Sequence, residues 1–218
     1  MSAREVSTPR RDAERSRQAI LDAAELVFAE RGYQASTMSE IGHRAGLSRG
    51  SPAFFFGSKD GLYAEVIERV FAHRHEVLAP ALELAQTAGS GASRDEVRAA
   101  LEAAVGSYID FLASRPTFVR LMQWESLTDG ERLRSIPHES SALERSLTAL
   151  AGGLGEGHGR SEARQLLLSF IALCLVPFEH ETTLMAALGM STADQALLDD
   201  RKRHVVDLLL DSFANGPA

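Results

Sequence analysis

Ser48, Arg49, Gly50 and Ser51 stand together, with Thr37 upstream and Lys59 downstream, and these are donors of three kinds. No general base, nucleophile or metal-ligand spacing lies among them, so the chemistry they offer is recognition. The forked guanidinium of Arg49 matches O6 and N7 of guanine, the most frequent specific side-chain contact in the major groove. Hydroxyl groups of Thr37, Ser48 and Ser51 and the ammonium of Lys59 suit phosphate oxygens, which fix register without reading sequence. Gly50 lets backbone come close, and Phe54 completes the set on the same segment. The pattern is that of a surface that reads double-stranded DNA.

Those residues need a frame, and the surrounding sequence supplies one. Thr37 followed by Glu40 has the spacing of a capping box, which starts a helix at Met38. Met38, Ile41 and Ala45 share one face of it, and Gly46 ends it. Leu47 returns to the core and Ser48 can cap a second helix. Two helices joined in this way place the second in the major groove. Pro52 conflicts with a cap at Ser48, because the fourth helical residue would then lack the N–H for the first ladder bond. A cap at Ser51 removes the conflict by making Pro52 the first helical residue. The reading helix is therefore predicted to be short or irregular before Ser51. An earlier helix, about Arg15 to Arg31, carries Ile20, Ala24, Val27 and Phe28 on one stripe and stops at Gly32.

The order Ala19-Ile20-Leu21-Asp22-Ala23-Ala24, Phe28-Ala29-Glu30-Arg31-Gly32-Tyr33, Thr37-Met38-Ser39-Glu40-Ile41, Ala45-Gly46-Leu47-Ser48-Arg49-Gly50 and Phe56-Gly57-Ser58-Lys59-Asp60-Gly61-Leu62 resembles the tetracycline-repressor (TetR) family of transcriptional regulators. The resemblance covers about Arg15 to Phe71; beyond it only length and helical pattern agree. It implies an all-α fold, with a three-helix helix-turn-helix domain followed by a helical ligand-binding and dimerisation domain. It also implies a repressor on a pseudo-palindromic operator, released by a small-molecule effector, without cofactor or catalysis. The divisions are a flexible basic arm at 1–14, the DNA-binding domain at 15–58 and the ligand-binding and dimerisation domain at 59–218. The family's usual aromatic, aromatic and histidine after the reading glycine are here Ala53, Phe54 and Phe55, so phosphate contacts by phenol or imidazole do not carry over.

Composition agrees with that frame. The chain has 218 residues, 44% hydrophobic, and a net charge of -7. Residues 1–60 hold nine Lys or Arg against eight Asp or Glu, and the remainder fourteen against twenty-two, so the basic end is the N-terminal one. Arg4, Arg10, Arg11, Arg15 and Arg17 read either as an arm on phosphate or in a minor groove, or as a solvated terminus. A lone cysteine, Cys174, excludes an internal disulfide framework and fits a reducing cytoplasm. No apolar stretch follows the early arginines, so no signal peptide is expected. The other class considered is a helical enzyme or metal protein. His180-Glu181-Thr182-Thr183-Leu184 opens like a zinc motif, but leucine replaces its second histidine. The Gly152–Gly157 run lacks the preceding strand that would aim its amides at a phosphate.

After Ser58, which can cap a fourth helix bearing Leu62, Tyr63, Val66, Ile67, Val70 and Phe71, further helices are predicted. They fall at about Arg94–Ala113, Thr117–Leu127, Glu131–Ala151, Glu162–Leu188 with a break, and Asp194–Phe213. Leu166 to Phe178 is apolar all round except for Ser169, yet shorter than the roughly 20 residues a membrane span needs. It must be covered on every side, which assigns residues 162–178 and 194–213 to a homodimer interface. Phe118, Leu121, Met122 and Glu125 form one stripe, with a carboxylate on an otherwise apolar face. Glu125 reads either as an effector contact or as a salt bridge to an arginine. Phe111, Phe118, Met122, Trp124, Cys174, Phe178 and His180 are candidate pocket walls, or plain core.

Overall fold

The computed structural model describes residues 9–88, 91–130, 132–135, 148 and 160–214. Among these residues there is no strand. The helices are α1 (Pro9–Ala35), α2 (Met38–Arg44), α3 (Ser51–Phe56), α4 (Lys59–Ala88), α5 (Arg94–Ser114), α6 (Pro116–Leu127), α7 (Arg160–Glu179) and α8 (Gln195–Ala214). Helix α1 starts at Pro9, the first-turn position that suits proline, so Arg10 and Arg11 are helical where an arm was expected. Arg4, the Gly152–Gly157 run and most of the helix predicted over Glu131–Ala151 lie outside the described residues. Of the described part of that stretch, Leu133–Ser135 is a single 3-10 turn and Thr148 is helical.

The chain forms two compact units. One comprises residues up to Val70 with Arg120–Ser135, and the other comprises Phe71–Val119 with the residues from Ile136 onward. The division thus falls inside α4, twelve residues beyond the boundary expected at 58, and the end of α6 joins the first unit.

In the first unit the stripe on α1 is fully buried: Ile20, Ala24, Val27 and Phe28 all have 0% exposure, as do Ile41 of α2 and Leu62, Val66 and Ile67 of α4. Burying a large aliphatic side chain is worth about 1.5–3 kcal/mol, so these residues hold the unit together. Ion pairs add orientation: Arg69 reaches Asp22 at 2.5 Å and Glu25 at 2.7 Å, Arg17 pairs with Glu65, and Arg44 grips Glu30 at 2.5 and 2.7 Å. The exposed pairs among these contribute about 0–1 kcal/mol each, whereas Glu25 is a buried carboxylate whose charge Arg69 offsets.

In the second unit α5 begins with a complete capping box. Ser93 Oγ accepts from Glu96 N at 3.3 Å while Glu96 Oε2 accepts from Ser93 N at 2.8 Å. Leu101, Val105, Ile109 and Leu112 of α5 are buried, as are Val205, Val206, Leu209 and Leu210 of α8. Arg94–Asp211, Arg98–Asp207 and Lys202–Asp110 join α5 to α8 at 3.1, 3.0 and 2.6 Å. An aromatic chain runs through the core: Tyr108 stacks near Phe170 (5.5 Å) and Phe111, and Phe118 meets Phe111 (5.1 Å) and Phe71 (5.9 Å) edge-on.

Helix α7 has 20 residues, which removes the length argument against a membrane span that its thirteen-residue apolar stretch seemed to offer. Only 22% of its most apolar window is buried. It ends near Pro177, and a π-helical turn follows at Glu181–Met185, the break the sequence required.

Candidate nucleic-acid interface

Thr37 has the extended backbone of an N-cap, and its hydroxyl accepts from Glu40 N at 3.2 Å. The other half of the predicted box goes elsewhere, because Glu40 pairs with Arg31 at 3.0 Å. Helix α2 closes at Ala45 and Gly46 follows with φ +69°. Leu47 N then donates back to Gly42 O at 2.9 Å, which makes the turn tight.

The reading helix is six residues long and starts at Ser51. Gly50, rather than Ser48 or Ser51, is its cap residue, and the first ladder bond runs from Phe54 N to Gly50 O at 3.0 Å. Pro52 is therefore the second helical residue, where a missing N–H leaves no intrahelical bond unmade. Proline also explains the packing of the motif. A Cβ on Gly42 would sit 2.6 Å from Ser48 O and 3.1 Å from Pro52 Cδ, so α2 needs glycine for α3 to lie this close.

Pro52 and Phe56 are buried, while Ser48, Arg49, Gly50, Ala53 and Phe54 are exposed. Phe54 is 84% exposed. Ser48 Oγ and Ser51 Oγ bond each other at 2.8 Å. Arg49 thus stands at the start of the exposed face with a guanidinium, and the following turn is small and apolar.

Lys59 is placed differently from the sequence expectation. Its ammonium donates to Ser36 O at 2.7 Å and to Gln34 O at 3.4 Å, and it lies 4.2 Å from the centroid of the Tyr33 ring. Burial, and then repulsion by Arg132, lower its pKa. Its charge closes the end of α1 through these two carbonyls. Arg17 is likewise engaged, by Glu65 and over the Phe56 ring at 5.1 Å, whereas Arg10, Arg11 and Arg15 lie exposed on α1.

The residues proposed as pocket walls do not form one group. Glu125, 3% exposed, accepts from Tyr63 Oη at 2.6 Å and from Leu133 N at 3.2 Å, so its partner is a tyrosine and not the arginine anticipated. Trp124 donates to Ala29 O at 3.1 Å and packs on Gly32. Met122, half-buried, belongs with them to the first unit. Phe111 and Phe118 are core residues of the second unit. Cys174 is fully buried there, and burial pushes its thiol up to about 12. Phe178 is half-buried, and His180 is exposed. Glu181 accepts from Ser191 Oγ at 2.7 Å and Thr192 N at 3.0 Å, fastening the turn after α7.

Sequence reasoning passed over Tyr33, Asp60 and Arg132. Tyr33 donates to Asp60 at 2.5 Å, and Arg132 lies 3.9 Å from the centroid of its ring. Burial and the bond to Asp60 raise the Tyr33 phenol. The available signal was the Gly32-Tyr33 pair directly after the α1 stripe.

This arrangement, two short helices at a tight turn with an exposed arginine opening the second, defines a helix-turn-helix DNA-binding regulator. Comparison with known proteins gives the family. Residues 20–66 match the bacterial regulatory proteins of the tetR family, and residues 98–209 match the tetracyclin repressor-like C-terminal domain. The chain belongs to the TetR family of transcriptional regulators. It is 25% identical to the HTH-type transcriptional repressor NicS of Pseudomonas putida, over 96% of this chain and 98% of that one. Against the repressor KstR2 of Rhodococcus jostii it is 25% identical, covering 90% of each. Its fold is similar to a TetR-like regulator from Rhodococcus sp. RHA1, with TM-score 0.62 and 22% identity over 92% of this chain and 97% of that one. It also resembles FadR from Bacillus subtilis in complex with stearoyl-CoA, with TM-score 0.63 and 18% identity over 89% and 97%.

Proposed function

We propose that the protein is a homodimeric cytoplasmic repressor that holds a pseudo-palindromic operator and lets go when a small molecule binds its C-terminal unit. The observation that carries the dimer is the two-sidedness of α7. Leu166, Cys174 and Pro177 are buried within their own unit, while Leu168 is 62% exposed and Ala172 is exposed as well. Leu208 of α8 adds a further apolar side chain at 44% exposure. A helix half covered in this way fits a second copy, and an isologous contact would give two readers related by a two-fold axis.

Phe111, Phe118, Cys174 and Phe178 remain the candidates for lining an effector site, which suits a ligand with an apolar body. Glu125 is withdrawn from that role because both its oxygens are already hydrogen-bonded. NicS and KstR2 are repressors by name, and one structural neighbour holds an acyl-CoA, which supports ligand-controlled repression here. Since α4 belongs to both units, an effector that prefers one arrangement of α4 would shift the population of DNA-competent dimers.

Sedimentation velocity of the purified chain should give a dimer, and Leu168→Glu with Leu208→Glu should give a folded monomer. A wild-type monomer at micromolar concentration would refute the dimer. Acyl-CoA titrated into the protein–operator complex tests the effector class, with release expected for one chain length above others.

A further inference from the structure

Gly50, Ala53, Phe54 and Gly57 recur at i, i+3, i+4 and i+7, and all four are exposed. That spacing puts them on one ridge of the reading helix, opposite buried Pro52 and Phe56. No side chain on the ridge can donate or accept a hydrogen bond. The neighbouring polar groups do not replace it. Ser48 and Ser51 bond each other, Thr37 caps α2, and the Lys59 ammonium bonds the carbonyls of Ser36 and Gln34.

Phe54 is 84% exposed, yet it is not loose: its ring meets that of half-buried Phe55 edge-on, at 5.3 Å and 89°. A positioned aromatic ring on the outward ridge of a major-groove helix faces base edges that offer one apolar group, the 5-methyl of thymine. Alanine and phenylalanine are side chains that make this contact.

We propose that Phe54, beside Ala53, is a specificity-determining residue that reads thymine methyl groups in each operator half-site, while Arg49 reads a neighbouring guanine. This rests on the reading of the chain as a sequence-specific DNA binder. The ridge would discriminate thymine from cytosine and from uracil by the methyl alone.

The test uses the full chain and a duplex recovered by selection from a random library. Each thymine is replaced in turn by deoxyuridine, which removes only the methyl, and affinity is read by fluorescence anisotropy at one salt concentration. One or two positions per half-site should bind about fourfold more weakly per methyl, the weight of one buried methyl-sized group at about 0.8 kcal/mol. In Phe54→Ala, whose altered side chain is on the surface, the thymine-to-uracil ratio should fall toward one at the position the ring reads, while a position read by Ala53 keeps its ratio. Uniform tolerance of uracil by the wild type overturns the proposal. So does undiminished uracil sensitivity in Phe54→Ala, or an equal loss of affinity by that variant for every sequence, which would make the ring a non-specific wedge. If selection recovers no preferred sequence, the DNA-reading function itself fails, and the methyl contact with it.

Discussion

Tyr63 of α4 donates its phenolic hydrogen to Glu125 of α6 across 2.6 Å, with both residues only 3% exposed. The second carboxylate oxygen takes the Leu133 amide at 3.2 Å. A buried carboxylate is costly unless its oxygens are hydrogen-bonded, and these two bonds give each oxygen a donor while tying the end of α6 to α4. Tyr63→Phe removes the donor and nothing else. It should lower stability by about 1–3 kcal/mol and shift the urea midpoint without changing the slope. An unchanged midpoint would mean that water replaces the phenol at no cost.

The same phenol sets an alkaline limit. Burial and the Glu125 bond raise the Tyr63 pKa far above its ordinary 10.0. The unfolded chain therefore loses that proton first as pH climbs, so the stabilisation is complete below about 10 and drains away above it. Cys174 behaves alike, with its thiol pushed up from 9.0 to about 12, giving stability that is lost as pH rises from 9 toward 12. Unfolding free energy should be flat from about pH 7 to 8.5 and decline above 9. Cys174→Ala should soften the first part of the decline. Thiol reagents at pH 8 should label Cys174 only as fast as the chain opens.

Gly32 occupies φ +71°, ψ 172°, a region almost confined to glycine, and a Cβ there would lie 2.9 Å from Trp124 Cδ2. Gly32→Ala should cost about 1–3 kcal/mol for the backbone alone. In a Trp124→Ala background the same change should cost less but still destabilise, as read by thermal unfolding. Equal cost in both backgrounds would show that the indole moves aside freely.

Much of the frame was legible because its causes are local. The Thr37 cap, Gly46 and the stripe Ile20, Ala24, Val27, Phe28 each depend on neighbours within a turn or two. Ser58 also caps as its position suggested, accepting from Gly61 N at 3.0 Å. Pro52 signalled a late helix start by its missing N–H, although the cap proved to be Gly50. The surroundings of Lys59 and Glu125 are not legible in the sequence for the opposite reason. The carbonyls that hold Lys59 lie 23 and 25 residues away, and the phenol that holds Glu125 lies 62 residues away. Residue type alone does not reveal a partner that only the fold delivers. The start of α1 could have been read from Pro9, but a cluster of arginines beside it suggested an arm.

Lys59 gives a sharp contrast with Arg49. Lys59→Met removes the bonds to the Ser36 and Gln34 carbonyls, so it should lower the thermal midpoint while leaving base preference intact. Arg49→Ala should leave the midpoint alone and relax specificity at one base pair by about 1–3 kcal/mol. Should Lys59→Met instead flatten the salt dependence of binding at unchanged stability, its ammonium would be a phosphate contact after all.

If the exposed face opened by Arg49 reads sequence from DNA, as proposed, the duplexes that the protein selects must depend on that residue. Selection of bound duplexes from a random library by the wild-type chain, sequenced against the same selection with Arg49→Ala, tests it most directly. The wild-type pool should converge on a two-fold-related consensus containing a guanine in each half, with that guanine's preference lost in the variant. A wild-type pool with no consensus, or one identical to that of Arg49→Ala, would contradict the proposal.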